Sequence, residues 1–297
     1  MSEAKTTIFD YPYFEDGQFA LENMQEELAK KYLESEKAES HFYRQQGSAF
    51  ADLRLLDWDS QFFHRKLSRL THFTFKSKQE GMALWRQCES WLKSEKVEHV
   101  TFRVDAREVG VINLLMNNGF EIVSGKYLTR RSLDELESFK EAASLQFSRT
   151  TASDVDVLKA LACRNFKESR FFSDNFFDSK IAGGVYESWI ANKFKDKPEE
   201  VILVSEGANT IGFVILSTLR PLEDRQFGFI ELITVDSSEA GKGYGKRIIR
   251  YALRHIAELG NTIVFANIVN TNLSSLRMFQ GVGFEVYATL LDMRRLV

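Results

Sequence analysis

Along residues 78–95 (KQEGMALWRQCESWLKSE) the apolar positions Met82, Trp85, Cys88 and Trp91–Leu92 recur at helical spacing, whereas HVTFRVD at 99–105 alternates. A period of 3.6 followed by a period of 2 predicts a helix and then a strand. Upstream, DLRLLDWDSQFFHRKLSRL reads as a strand followed by a turn. Its aromatic cluster, Trp58, Phe62 and Phe63, is expected to pack between domains. NLLMNN at 113–118 predicts a short helix, and Gly119-Phe120 leads into the strand EIVSGKYLTRR.

The second half repeats this alternation. After FSRT, a short strand, Asp154 follows a serine or threonine by three residues, a capping-box-like start for the helix in DVDVLKALACRNF. An aromatic loop (RFFSDNFFDSK) and a helix around 185–194 come next. Strands at 201–207 and 210–219, with Gly207 and Asn209 at the turn, predict a hairpin. FGFIELITVD is a further strand, SSEAGKGYGK a glycine-rich loop, 247–260 an amphipathic helix and 262–269 a strand. Asn272 to Gly281 reads as a helix that leads into the closing GFEV strand.

GFEIVSGKYLTRR at 119–131 and GFEVYATLLDMRR at 283–295 share glycine, phenylalanine, glutamate and the final arginine pair in register. Each follows a short helix, as expected where glycine supplies a left-handed C-cap. Two related halves are the economical reading. The polar helical stretch 132–146 then serves as the connection, dividing the chain into an acidic extension (1–45), an N-terminal domain (46–145) and a C-terminal domain (146–297). Residues 1–45 carry ten acidic and five basic side chains, and Leu21, Met24, Leu28 and Tyr32 predict an amphipathic docking helix there.

Composition narrows the partners. The chain has 297 residues, 44% of them hydrophobic, a net charge of −3 and no block of six like charges. Neither a nucleic-acid arm nor a polybasic membrane anchor is present, and no apolar run suffices for a spanning helix. Two distant cysteines, Cys88 and Cys163, fit a reducing cytoplasm. The five histidines lack metal-ligand spacing, so no metal is expected.

The sharpest chemical signal is strand, loop, helix: ELITVD, then Gly241, Lys242, Gly243, Tyr244, Gly245, Lys246, then a helix from about Arg247. Glycines let the backbone approach a ligand closely, and successive N–H groups at a helix start suit phosphate oxygens. A pyrophosphate is the expected ligand. The spacing matches neither a Walker loop nor a dinucleotide fingerprint.

From about Gln146 to Val297 the chain resembles the GNAT acetyltransferases, whose motif is a strand, Gln/Arg-x-x-Gly-x-Gly/Ala and a helix. The resemblance implies a mixed, largely antiparallel α/β (α+β) sheet, preceded here by a smaller, incomplete GNAT-like domain. It implies acetyl-CoA as cosubstrate, with backbone groups of Ile233, Thr234 and Val235 on the pantetheine arm, the Gly241–Lys246 amides on the pyrophosphate, and Asn272 against the coenzyme. Ala240 departs from the motif's Gln/Arg. LDWDSQFF, ESRFFSDNFF, SWIANKF and NTNLSSLRMFQGVGFEV further resemble the WecD type, the dTDP-fucosamine acetyltransferases. That implies a nucleotide-linked amino sugar as acceptor, within surface polysaccharide (lipopolysaccharide) synthesis. Another small amine, or a non-catalytic coenzyme-binding role, remains an alternative, and a homodimer an open one.

Amine attack on a thioester needs a proton acceptor and an acid for the departing thiolate. The family's acid, a tyrosine seven residues after the asparagine, falls on Phe279, which has no proton to give. Tyr287 and Tyr244 are the nearby hydroxyls, and Glu231 could accept the amine's proton or be a solvent-paired strand carboxylate. In RFFSDNFF, Arg170 could pair with a diphosphate while Phe171 and Phe172 face a base or sugar ring, or the cluster could simply pack the domains.

Overall fold

The computed structural model describes residues 41–297 except Ser48, 135–143 and 223–224. The docking helix expected before residue 41 and most of the 132–146 connection lie outside the described residues. The described residues form two compact units, one of those up to Gly125 together with Ala288–Val297, the other of those within Lys126–Tyr287.

In the first unit, β1 (Phe42–Gln46), β2 (Ala49–Leu55), β3 (Leu67–Thr74), β4 (His99–Asp105) and β11 (Glu285–Leu296) lie side by side in that order. Only the β3–β4 ladder is parallel. Helix α2 (Lys78–Ser94) starts at Ser77, whose side chain accepts from the Glu80 N–H. Its stripe Leu84, Trp85, Cys88 and Leu92 is fully buried against Leu53, Leu70 and Phe102. One expectation is corrected here: the segment after β2 is not a turn but a helix, α1 (Asp57–Phe63), with Asp57 and Asp59 in its first turn, where carboxylates favour the helix dipole. Phe63 is buried, whereas Trp58 is 42% exposed and stacks on Phe62. Helix α3 (Val109–Met116) then leads through Gly119 (φ 85°) to β5 (Glu121–Ser132).

The second unit orders its strands β5, β10 (Ile263–Val269), β9 (Arg225–Val235), β8 (Asn209–Leu222), β7 (Val201–Glu206) and β6 (Leu145–Arg149). All ladders are antiparallel except β9–β10. The hairpin β7–β8 turns at Gly207 (φ 59°), as its residues predict. Helix α7 (Tyr244–Glu258) buries Ile248, Ile249, Ala252, Leu253 and Ile256 on one face of the sheet. Each buried isoleucine or leucine contributes roughly 1.5–3 kcal/mol. Gly228 makes that contact close, because a Cβ there would stand 2.1 Å from Ile256 Cγ2.

Helices α4 (Val155–Asn165), α5 (Arg170–Ser173) and α6 (Ser179–Asp196) precede β7, and α4 and α6 cover a second core with Val201, Phe213 and Ile215. Half of the expected capping box is present at α4, where Asp154 accepts from the Thr151 N–H at 2.8 Å. The aromatic loop contains one short helical turn, α5. Helix α8 (Leu273–Gln280) ends before Gly283 (φ 87°), matching Gly119 in the first unit. In the first unit Asp105 lies opposite Leu290, and in the second Val269 lies opposite Lys126.

Candidate functional site

Strands β9 and β10 run parallel but pair over only three positions, Gly228, Phe229 and Ile230 against Val264, Phe265 and Ala266. Beyond Ile230 β9 has no ladder to β10, while Leu232–Val235 keep their partner β8. One backbone edge of Glu231–Val235 is therefore open, in a sheet whose buried polar backbone groups would otherwise be paired. An extended, amide-bearing chain can complete that edge as an added strand would.

The open edge runs into the glycine loop. Asp236 starts it by accepting from the Ser238 N–H at 2.9 Å, which forms the single helical turn Ser237–Glu239. Gly241 (φ 82°) and Gly243 (φ 80°) adopt left-handed backbone, and Gly243 caps α7 without a side-chain hydrogen bond. Among the described residues, no acceptor pairs with the N–H groups of Gly241 through Lys246; the next amide, Arg247, bonds to Gly243 at 3.4 Å. Gly241, Lys242 and Gly243 are exposed. Six uncommitted amides at the start of a fifteen-residue helix make an anion nest reinforced by the helix dipole. Helix α7 starts one turn earlier than its periodicity predicts, because that turn is built of Tyr244, Gly245 and Lys246 rather than apolar residues. Gly245 serves packing, since a Cβ would stand 2.2 Å from Met278 Sδ on α8.

On the sheet's other face, Asn165 at the end of α4 donates to Thr234 Oγ1 at 2.8 Å and to the Val235 carbonyl at 3.0 Å. It braces the open segment. Sequence reading missed it, as it did Lys193, whose Nζ on α6 donates to Glu231 Oε1 at 2.8 Å and is paired with Glu200. Burial disfavours the Lys193 charge, but the bonds to Glu200 and Glu231 outweigh it and hold its pKa above the ordinary lysine value. Their only sequence signal was position, at helix ends facing the strand before the loop. On α5, Arg170 sits over the Phe171 ring at 4.6 Å, and Phe171 meets Phe177 edge to face. Phe172 is half-buried beside them.

The remaining candidates are dispersed. The Tyr244 hydroxyl donates to Glu206 Oε2 at 2.5 Å, which raises the phenol's pKa and makes it a poorer acid; Ser144 and Tyr244 together lower that of Glu206. Tyr287 packs edge to face on Phe265, with the Arg130 guanidinium 5.6 Å from its ring. Phe279 is buried in the α7 core against Phe284. The side-chain oxygen Oδ1 of Asn272 caps α8, accepting from the Ser275 N–H at 3.0 Å and the Ser274 hydroxyl at 2.9 Å.

Residues 162–284 match the family model described as acetyltransferase (GNAT) family. No curated protein matches the chain. Among solved structures, a GCN5-related N-acetyltransferase from Sphaerobacter thermophilus is similar with a TM-score of 0.60 at 14% identity, over 83% of this chain and 76% of that one. A GCN5-related N-acetyltransferase from Kribbella flavida gives 0.59 at 15% identity, over 91% and 94%. A tandem GNAT protein from the clavulanic acid biosynthesis pathway gives 0.56 at 14% identity, over 85% and 81%. The α/β, GNAT-like fold is thus shared, and acetyltransferases of this family use acetyl-CoA as cosubstrate.

Proposed function

We propose that this chain, with its GNAT acetyltransferase domain over residues 162–284, moves the acetyl group of acetyl-CoA to the amino group of a nucleotide-linked amino sugar. One observation carries the coenzyme half of this reading: the six uncommitted amides from Gly241 to Lys246 adjoin the unpaired edge of Glu231–Val235. The nest suits the pyrophosphate, and the free edge suits the amides of the pantetheine arm. A thioester laid along β9 then meets Glu231 where the two parallel strands separate. The acceptor half rests on chemistry: Arg170 can pair with a diphosphate, and Phe171 and Phe172 offer faces for a base or sugar.

In the mechanism, Glu231 takes a proton from the amine, which attacks the thioester carbonyl. Water protonates the departing thiolate, since Phe279 has no acidic proton and Tyr244 is committed to Glu206. A free thiol's pKa near 8.5 makes such a leaving group tolerable. Within the chain we assign the transferase to residues 146–297, with an incomplete GNAT-like domain over 46–145 and an acidic extension over 1–45, working in a reducing cytoplasm. Among the described residues no helix is long and apolar enough to cross a membrane.

The test is calorimetry with acetyl-CoA, then thiol release with a panel of dTDP- and UDP-amino sugars. Binding plus turnover on one sugar is the expected result. Binding without turnover on any sugar rejects the acceptor, and absence of binding rejects the reading entirely.

A further inference from the structure

Glu231 slips the β9 ladder with β8: Ile230 lies opposite Leu216 and Leu232 opposite Ile215, so Glu231 bulges between them. It is also the first residue past the last β9–β10 pair. Its side chain is held rather than loose. Oε1 accepts from Lys193 Nζ at 2.8 Å, and the same ammonium is paired with Glu200 at the foot of β7. The three side chains keep only 14% (Lys193), 18% (Glu231) and 15% (Glu200) exposure, so solvent screens them weakly.

Glu200 is in turn paired with Lys197 Nζ at 3.2 Å, so two ammoniums balance two carboxylates and Lys193 is anchored from both sides. Among the described residues Glu231 Oε2 makes no hydrogen bond, and so remains available. Were Glu231 the solvent-paired carboxylate that strand patterning also allows, a half-buried lysine and a second glutamate would not be assembled around it.

We propose that Lys193 is a positioning residue that fixes Glu231 at the strand opening, where Oε2 takes a proton from acceptors arriving as ammonium ions. This rests on the acetyltransferase reading above. The ammonium passes one proton to Glu231 Oε2 and on to solvent. The freed lone pair forms the C–N bond at the thioester carbonyl, and collapse breaks the C–S bond. The nitrogen loses a second proton, and the thiolate gains one from water.

Two amines separate this from a purely structural role. Near neutral pH ethanolamine is an ammonium ion, whereas hydroxylamine is neutral and needs no base. The full chain with saturating acetyl-CoA is assayed for thiol release with each, in wild type, Lys193→Met and Lys193→Arg, alongside melting temperature and acetyl-CoA affinity. The expected result is that Lys193→Met loses about 10²-fold in kcat/KM for ethanolamine while hydroxylamine turnover and acetyl-CoA affinity hold, and that Lys193→Arg restores most of the loss. Equal loss with both amines, no loss with either, or failure of the arginine to rescue overturns the proposal. Wild type that binds acetyl-CoA but turns over hydroxylamine alone also overturns it, leaving the transferase reading intact; no acetyl-CoA binding fails that reading itself.

Discussion

Gly243→Ala isolates the anion nest from the stability of the fold. Gly243 has φ 80° and ends the loop as the N-cap of α7, and a Cβ added there would meet nothing within 4 Å. The cost is therefore conformational, about 1–2 kcal/mol for an L residue held in left-handed backbone. For a domain of this size that is a melting shift of roughly 2–8 °C. Relaxing φ toward a right-handed value rotates the Gly243 and Tyr244 amides out of the nest. Losing one charge-assisted bond to a phosphate oxygen costs about 1.5–3 kcal/mol, roughly 10- to 100-fold in acetyl-CoA affinity. Gly207→Ala is the control: its φ is 59°, its Cβ site is equally empty, and it lies in the β7–β8 turn. Calorimetric titration with acetyl-CoA and thermal melts on both variants check the argument. Similar melting losses are expected, with weakened binding only for Gly243→Ala. If both variants bind acetyl-CoA like wild type, the amides do not clasp the coenzyme.

Three further outcomes follow from packing and charge. Gly245→Ala drives a Cβ into Met278 and should cost about 1–3 kcal/mol in chemical denaturation, most of it recovered in the Gly245→Ala/Met278→Ala double variant, whose additivity would refute the contact. Phe279→Tyr puts a hydroxyl into an apolar core at a position 3% exposed and should lose about 1–3 kcal/mol with no gain in turnover; a faster enzyme would show that the ring edge reaches the thiolate. Because the Lys193 pKa is raised in the folded chain, its contribution is complete below lysine's unfolded value of about 10.4 and is lost as pH climbs through the higher folded one. Denaturation of wild type against Lys193→Met should therefore converge only above about pH 10.4, and a gap that closes between pH 7 and 9 would contradict the pairing of Lys193 with Glu200 and Glu231.

Much of this protein was legible in one dimension. Helix α2 and strand β4 follow from apolar spacing, the β7–β8 turn from Gly207, and the left-handed turns after α3 and α8 from Gly119 and Gly283, because period, turn chemistry and glycine conformation are local properties. The nest was legible for the same reason, being built of main chain within six consecutive residues. Local patterning failed at α1, where a seven-residue helix was read as a turn, since its aromatic residues show no clear period over so short a span.

What needed three dimensions was every feature joining distant segments. The strand opening exists because the β9–β10 ladder stops after Ile230, and no residue type marks where a ladder ends. Lys193, Glu200 and Glu231 meet only when α6 packs on the sheet, and Asn165 reaches Val235 across 70 positions. The segment Ala288–Val297, which sequence alone joins to the second half, pairs with β4 in the first unit. Chain order sets the backbone's local shape and with it the coenzyme loop, while the electrostatics of the reacting centre arise from long-range contacts that only burial of the cores brings within hydrogen-bonding distance.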